Sequence, residues 1–487
     1  MRGHLGHGLR WRPGDGHAGR RRARFDHASS DERRGKQEPR EDGFVHWVPP
    51  KKPVIAAELT TLLALFERAA PFRPRPAESR DTTGIFAMTE SALRQELANL
   101  PPSLRKRLDA SGFDPERLVT LASPLFARAR GEATVDRDER NRVEGAVDLP
   151  RREDVADLPA PGTDEHRRLA SVGLGAIGRG ELAFCVMAGG MATRMGGVVK
   201  ALVEAFDGNT FLALRLGENA SWSKRAGAPL PLWLMTSEAT EGPIRDALAA
   251  ARAPAHVATF GQDLGLRLTP DGGLFRGGDG QPSTYAPGHG DLPDALRRSG
   301  LLASFVARGG KYVWIANLDN LGASIDEALL GHFIERERNV LVEVAPKEGG
   351  DRGGIPVWAD VANATDVDGK RVRRLQVLEE FRLPRGFDAA AVRVFNTNTF
   401  LTRADALLRM PVHYNWFEVE KKVEGRIAVQ FERLLQELTS ATDAAYARVS
   451  REGVLSRFLP VKDFDELAKR REEIREVAKS RGMLGGQ

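Results

Sequence analysis

From Leu182 onward the chain alternates short apolar runs with longer stretches in which apolar residues recur every three or four positions. The runs at 182–188, 230–236, 256–260, 311–317 and 339–345 predict buried strands. The stretches near 210–225, 243–252, 291–306 and 324–338 predict helices. Such alternation implies an α/β domain around a mainly parallel central sheet, whose ligands bind beyond the carboxyl ends of the strands. Residues 355–361 and 372–383 read as a hairpin split by Asp368-Gly369, an insertion able to wall a pocket. The stretch 429–447 reads as a helix, and 463–481 as a last charged helix. Ahead of this pattern, 90–100, capped by Thr89, and 115–123 read as charged helices.

The first 46 residues are rich in Arg, Gly and His, hold five of the ten histidines and show no periodicity, so disorder is expected. A short amphipathic helix near 56–69 leads into Pro71-Phe-Arg-Pro-Arg-Pro76, an extended linker. Four segments follow: a basic tail and linker (1–87), a helical N-terminal region (88–178), a catalytic domain (179–411) and a C-terminal segment completing the site (412–487). Residues 2–87 are expected to be dispensable for activity.

Composition narrows the class. With 487 residues, 41% of them hydrophobic, the chain can bury a full core, and no apolar run reaches the roughly 18 residues of a membrane span. Residues 1–87 carry 17 Lys and Arg against 11 Asp and Glu, so they hold the whole surplus of the +5 net charge. The near-neutral remainder, without interleaved basic and aromatic residues, argues against nucleic acid. Cys185 is the only cysteine, which excludes an intrachain disulfide and a cysteine-built metal site; a small core residue in a cytoplasmic protein is expected.

Gly173-Leu-Gly175-Ala-Ile-Gly178 matches a dinucleotide fingerprint but precedes the strand instead of leaving it, so it reads as a helix end. The informative loop comes next. The run ending in Met187-Ala188 breaks at Gly189-Gly190 and then carries Thr193, Arg194 and Lys200. Adjacent glycines let backbone N–H groups approach an anion, and the two cations suit a phosphate chain. Asn317, Asp319 and Asn320 end a predicted strand; Asp319 suits one ligand of a Mg²⁺ completed by phosphate and water, or the cap of a following helix. Asn396 and Asn398 flank Thr397 at the end of a short strand, where amides suit sugar hydroxyls or a turn. Gly288 and His289 lie in a glycine-rich loop, Gln262 just after a strand, and Lys462 before the last helix.

In this order, Pro287-Gly-His-Gly-Asp291, Asn317-Leu-Asp-Asn-Leu-Gly-Ala323, Phe395-Asn-Thr-Asn398 and Ser456-Arg-Phe-Leu-Pro-Val-Lys462 resemble the eukaryotic-type UTP–glucose-1-phosphate uridylyltransferase family. The resemblance covers roughly residues 180–465. It implies a Rossmann-like nucleotidyltransferase domain that joins UTP and glucose 1-phosphate into UDP-glucose, with Mg²⁺ assisting. By the same resemblance, Met187, Ala188, Gly189, Gly190, Lys200, Gln262, Gly288, Asn317 and Asp319 would meet UTP, with Asp319 holding the metal. His289, Asn396, Thr397 and Asn398 would meet the sugar phosphate. Lys462, Arg194 and Lys200 would be catalytic, and Lys421 or Lys422 a further phosphate contact.

Two departures stand out: Ala192 where the family usually has Gly, and Val199 where Pro usually precedes the lysine. The 25 residues after Lys462 are too few for the family's C-terminal β-helix, so a monomer or small oligomer is expected. Two other readings stand beside this one. A sister enzyme would use N-acetylhexosamine 1-phosphate or several sugar phosphates, and a catalytically silent protein would only bind UDP-sugars.

Overall fold

A computed structural model of the protein describes residues 88–192, 195–351, 353–365 and 370–484. The basic tail, the 56–69 helix and the Asp368-Gly369 turn fall outside the described residues. Eight strands among those described form the central sheet: β1 (Ala156–Asp157), β2 (Leu182–Met187), β3 (Leu232–Thr236), β4 (Val257–Gly261), β5 (Tyr312–Asn317), β6 (Val340–Pro346), β7 (Val394–Arg403) and β8 (Ala444–Arg448). Their order is β1-β8-β6-β7-β5-β2-β3-β4. Every neighbouring pair is parallel except those of β7, which runs antiparallel to both β5 and β6.

Strand β2 is buried along all six residues, as a strand covered on both faces must be. Its alternation divides the core in two. Phe184 and Val186 join a cluster with the helices Phe211–Ala226, Glu327–Arg336 and Phe464–Ser480, while Ala183, Cys185 and Met187 join one with Leu292–Arg298, Leu301–Ala307 and the hairpin Ile355–Thr365/Arg371–Leu378. Cys185 is fully buried, and burial pushes its thiol well above the ordinary range. Helices begin on side-chain caps: Thr89 accepts from Ala92 N–H at 3.2 Å, Thr210 from Ala213 N–H at 3.1 Å and Asp463 from Glu466 N–H at 2.8 Å. Among the described residues no helix is long and apolar enough to cross a membrane.

The glycines at 173–178 lie inside the helix Asp164–Gly178. A Cβ on Gly173 would sit 1.9 Å from the Glu327 carbonyl oxygen, and one on Gly331 would sit 2.0 Å from that of Leu169. The fingerprint lookalike is therefore a contact between two closely packed helices.

The structure corrects several expectations. The predicted 429–447 helix is instead the strand Arg426–Glu432, a tight turn Leu435–Glu437, a one-turn helix Leu438–Ala441 and β8. Arg426–Glu432 pairs with Phe417–Val423 through a two-residue turn whose Glu424 and Gly425 both have positive φ, 48° and 80°. Its buried Val429 and Phe431 pack against the N-terminal helices, a tertiary contact that overrides local helical preference. The predicted 291–306 helix breaks at Gly300, whose φ of 75° ends one helix and starts another. The N-terminal region is not wholly helical, since it donates β1 to the sheet and Val147–Asp148 to the hairpin. The C-terminal segment likewise adds β8, so it is not only helical.

Candidate active site

The carboxyl edge of the parallel strands collects several of the polar residues singled out above. Asn317 ends β5 beside Met187, which ends β2. Because β7 is antiparallel, its first residues, not its last, lie at this same edge. Asn396 and Asn398 are therefore near the start of a ten-residue strand and not at the end of a short one. Asn398 takes a φ of 60°, and its Nδ2 donates to Asn317 Oδ1 at 3.2 Å. Its Oδ1 is buried with no hydrogen-bond partner among the described residues. Asn396 Oδ1 accepts from Asn398 N–H at 2.9 Å. Thr397 faces the other way: it is 2% exposed, and its hydroxyl donates to the Glu343 carbonyl at 3.0 Å, which leaves it turned from the edge.

Lys200 and Asp319 meet there. The Lys200 ammonium lies 2.6 Å from Asp319 Oδ2, and each side chain is 18% exposed. The loop carrying Asp319 is gripped from below by a buried ion pair on the helix Phe211–Ala226. Arg215 donates to the carbonyls of Asn317, Asn320 and Ala323 at 3.1, 2.6 and 3.3 Å, and Glu218 accepts from Ile325 N–H at 2.9 Å. The following helix is capped by Asp326, which leaves Asp319 outside that role. Asn320 instead holds the C-terminal segment: its Oδ1 accepts from Leu459 N–H at 2.7 Å and its Nδ2 donates to the Arg457 carbonyl at 3.2 Å. Arg457, in turn, forms a buried bidentate pair with Glu343 at 2.7 and 2.8 Å. These contacts place Lys462 three residues beyond the docked Leu459. Lys462 is exposed, and its ammonium has no ion-pair partner among the described residues.

The glycine loop faces an open cleft lined by Gly189, Met191, Ser237, Gln262, Arg267 and Arg107. Arg107 reaches it from the N-terminal helix Pro102–Ala110 and pairs with Glu238 at 2.7 Å. A Cβ on Gly189 would lie 2.3 Å from Gln262 Oε1, so glycine is needed for the Gln262 amide to sit against this loop. Gly190 has open space on its Cβ side. The Ala188 N–H and Met187 carbonyl are used within the fold, by Met235 O and Leu318 N–H. Thr193 and Arg194 lie outside the described residues.

Gly288 has a packing role in the fold. Its φ is 112°, and a Cβ would strike the Arg433 carbonyl at 2.7 Å, so the loop is glycine-rich because it packs on the protein's own backbone. His289 is partly buried, accepts from Leu435 N–H through Nδ1 at 2.9 Å, and is pushed by burial down to about 4. Lys421, exposed on the Phe417–Val423 strand, pairs with Glu432 at 3.3 Å. Arg215, Glu218, Arg433 and Arg457 escaped the sequence reading. Each is a charged residue in or next to an apolar run, a signal that appears only once its neighbours are known to be buried.

Among the described residues no cluster of three or more His, Cys, Asp and Glu could form a metal cage. The single Asp319 carboxylate fits a hard cation that takes its other ligands from phosphate and water.

The chain matches the profile of the UTP–glucose-1-phosphate uridylyltransferase family over residues 140–482. It is 31% identical over 303 residues to the UTP–glucose-1-phosphate uridylyltransferase of Musa acuminata, covering 59% of this chain and 62% of that protein. Against the Saccharomyces cerevisiae enzyme of the same name it is 30% identical over 308 residues, covering 59% and 58%. The chain thus spans about six tenths of the length of the curated relatives it matches. In three dimensions it resembles a UDP-glucose pyrophosphorylase from Leishmania major, with a TM-score of 0.58, 21% identity and 78% of each chain covered. It also resembles a UDP-N-acetylglucosamine pyrophosphorylase from Trypanosoma brucei, with a TM-score of 0.57, 20% identity, and 79% and 85% covered.

Proposed function

Because the chain belongs to the UTP–glucose-1-phosphate uridylyltransferase family, we propose that it transfers a uridylyl group from UTP to glucose 1-phosphate, releasing pyrophosphate. The observation that carries this reading is the meeting of Lys200 with Asp319, beside Asn317 and Asn398, at one edge of the sheet. The names of the plant and yeast relatives supply the choice of glucose.

The chemistry asks an oxygen of one phosphate to attack the α-phosphorus of another polyanion, in line with the departing pyrophosphate. Mutual repulsion is the obstacle, and fixed cations and oriented amides answer it better than an acid or base would. Lys200, at the mouth of the glycine loop, draws the triphosphate in; Gly190 leaves room for it. Asp319 would hold a Mg²⁺ ion, which would supply neutralisation of phosphate charge. Gln262 reads the edge of the base in the adjoining cleft. The unpartnered Asn398 oxygen accepts from a sugar hydroxyl, and the His289 Nε2–H donates to the sugar phosphate. Lys462, whose ammonium has no ion-pair partner among the described residues and whose segment is anchored through Leu459, brings its ammonium to the charge that develops in transfer. Arg194 is assigned to the same phosphates by its place in the loop.

Calorimetric titration tests the binding half of this reading. UTP with Mg²⁺ and UDP-glucose should each bind one site per chain and compete with one another; failure of both to bind would refute it.

A further inference from the structure

We infer that Arg433 is a positioning residue for this site: with the backbone of Leu434 and Leu435 it fixes the 287–291 loop and presents His289 as a donor through Nε2. The inference deepens the uridylyl-transfer reading and rests on it for the identity of what His289 meets.

Arg433 is 3% exposed, and each nitrogen of its guanidinium donates to a carboxylate. Nε donates to Asp291 Oδ1 at 2.6 Å, Nη1 to Asp294 Oδ2 at 2.7 Å and Nη2 to Asp263 Oδ2. Its plane lies over the rings of Tyr414 and Trp416, 4.8 and 5.1 Å from their centroids. The backbone continues the grip: Arg433 N–H donates to the Pro287 carbonyl at 2.8 Å, and its own carbonyl accepts from Gly290 N–H at 3.1 Å. Gly288 and Gly290 make this contact possible, because a Cβ on either would come within 2.7 Å of Arg433 backbone atoms.

Two residues on, the Leu435 N–H reaches His289 Nδ1. A ring nitrogen that accepts carries no proton, so the neutral imidazole holds its one hydrogen on Nε2. Burial keeps the ring neutral, with the Glu432 charge acting in the opposite direction. Asp263 directly follows Gln262, and Asp291 lies two residues after His289. One guanidinium therefore ties the edge assigned to the base to the loop assigned to the sugar phosphate. Lysine cannot replace it, because a single ammonium lacks the planar fork that serves three carboxylates at once.

Position 435 offers a test that separates this from general packing. Leu435 opens a tight turn, and Leu434 before it is extended, with φ −120° and ψ 139°, a conformation compatible with a following proline. Leu435→Ala and Leu435→Pro both lose the buried side chain; only the proline variant also loses the N–H. In the alanine variant the ¹⁵N ring signals of His289, assigned by their loss in His289→Gln, should keep the Nε2–H tautomer. In the proline variant they should show mixed tautomers, and kcat/KM for glucose 1-phosphate should fall about tenfold below the alanine variant, with KM for UTP unchanged. Arg433→Lys should mix the tautomers too and lower the same ratio at least as far. Identical ring signals in the proline and alanine variants would overturn the inference. Should the proline variant not fold, an unchanged tautomer in Arg433→Lys overturns it alone. Ring signals need no turnover, so this result stands apart from failure of the proposed reaction.

Discussion

Lys200 Nζ and Asp319 Oδ2 lie 2.6 Å apart although 119 residues separate them in the chain. One follows the glycine loop after β2, the other follows β5, and these strands are parallel neighbours whose ends are in register. In the proposed reaction the pair sets a cation beside the carboxylate that would hold Mg²⁺. Asp319→Asn should therefore lower kcat by about 10²–10³ and abolish its dependence on Mg²⁺. The melting temperature should change little, since both side chains of the pair keep access to solvent. Metal-dependent turnover near wild type would remove Asp319 from the role.

Lys462→Ala should leave stability within about 0.5 kcal/mol, because the side chain is exposed and makes no ion pair among the described residues. UTP should bind as before while turnover collapses. Titration calorimetry and a pyrophosphate assay on one preparation check both halves; near-normal turnover contradicts the assignment.

His289 gives the stability of the fold a pH dependence. Held neutral down to about 4 in the folded chain, it takes up a proton near its ordinary value once unfolded. Its contribution is thus present above about pH 6.5 and lost as pH falls towards 4. The urea midpoint should drop more between pH 7 and pH 5 in the wild type than in His289→Gln. Equal drops would show that the ring is not buried as described.

Much of the fold was legible because its strands are continuous apolar runs, and five such runs fall within two residues of their observed limits. The 426–448 stretch was not, since Arg426–Glu432 becomes a strand only by pairing with Phe417–Val423 and packing under the N-terminal helices. Asp319 and Asn317 could be found as polar residues at an apolar run's end. Thr397 was misleading, as alternation along β7 sends its hydroxyl into the core. Gly288 and the 173–178 glycines could be seen but not explained, because what a glycine makes room for lies elsewhere in the chain.

Gly173→Ala tests the packing account directly. Its methyl would press on the Glu327 carbonyl, a backbone atom that cannot turn aside, so stability should fall by about 1–3 kcal/mol with KM values unchanged. A neutral effect would show that the two helices separate freely.

Arg457 and Glu343 are 6% and 0% exposed, and they anchor the segment that ends in Lys462. Arg457→Met alone should cost about 3–5 kcal/mol by leaving a buried carboxylate unpaired. Adding Glu343→Leu should recover most of it. A single variant as stable as the wild type would mean that the segment is held by other contacts.

The proposed reaction is uridylyl transfer to glucose 1-phosphate. It is tested most directly by pyrophosphate release from UTP and Mg²⁺ on separate addition of glucose 1-phosphate, galactose 1-phosphate and N-acetylglucosamine 1-phosphate. Release should be rapid with glucose 1-phosphate and slow with the other two. Release with none of them, while UDP-glucose still binds, would contradict it and leave a UDP-sugar-binding protein without catalysis.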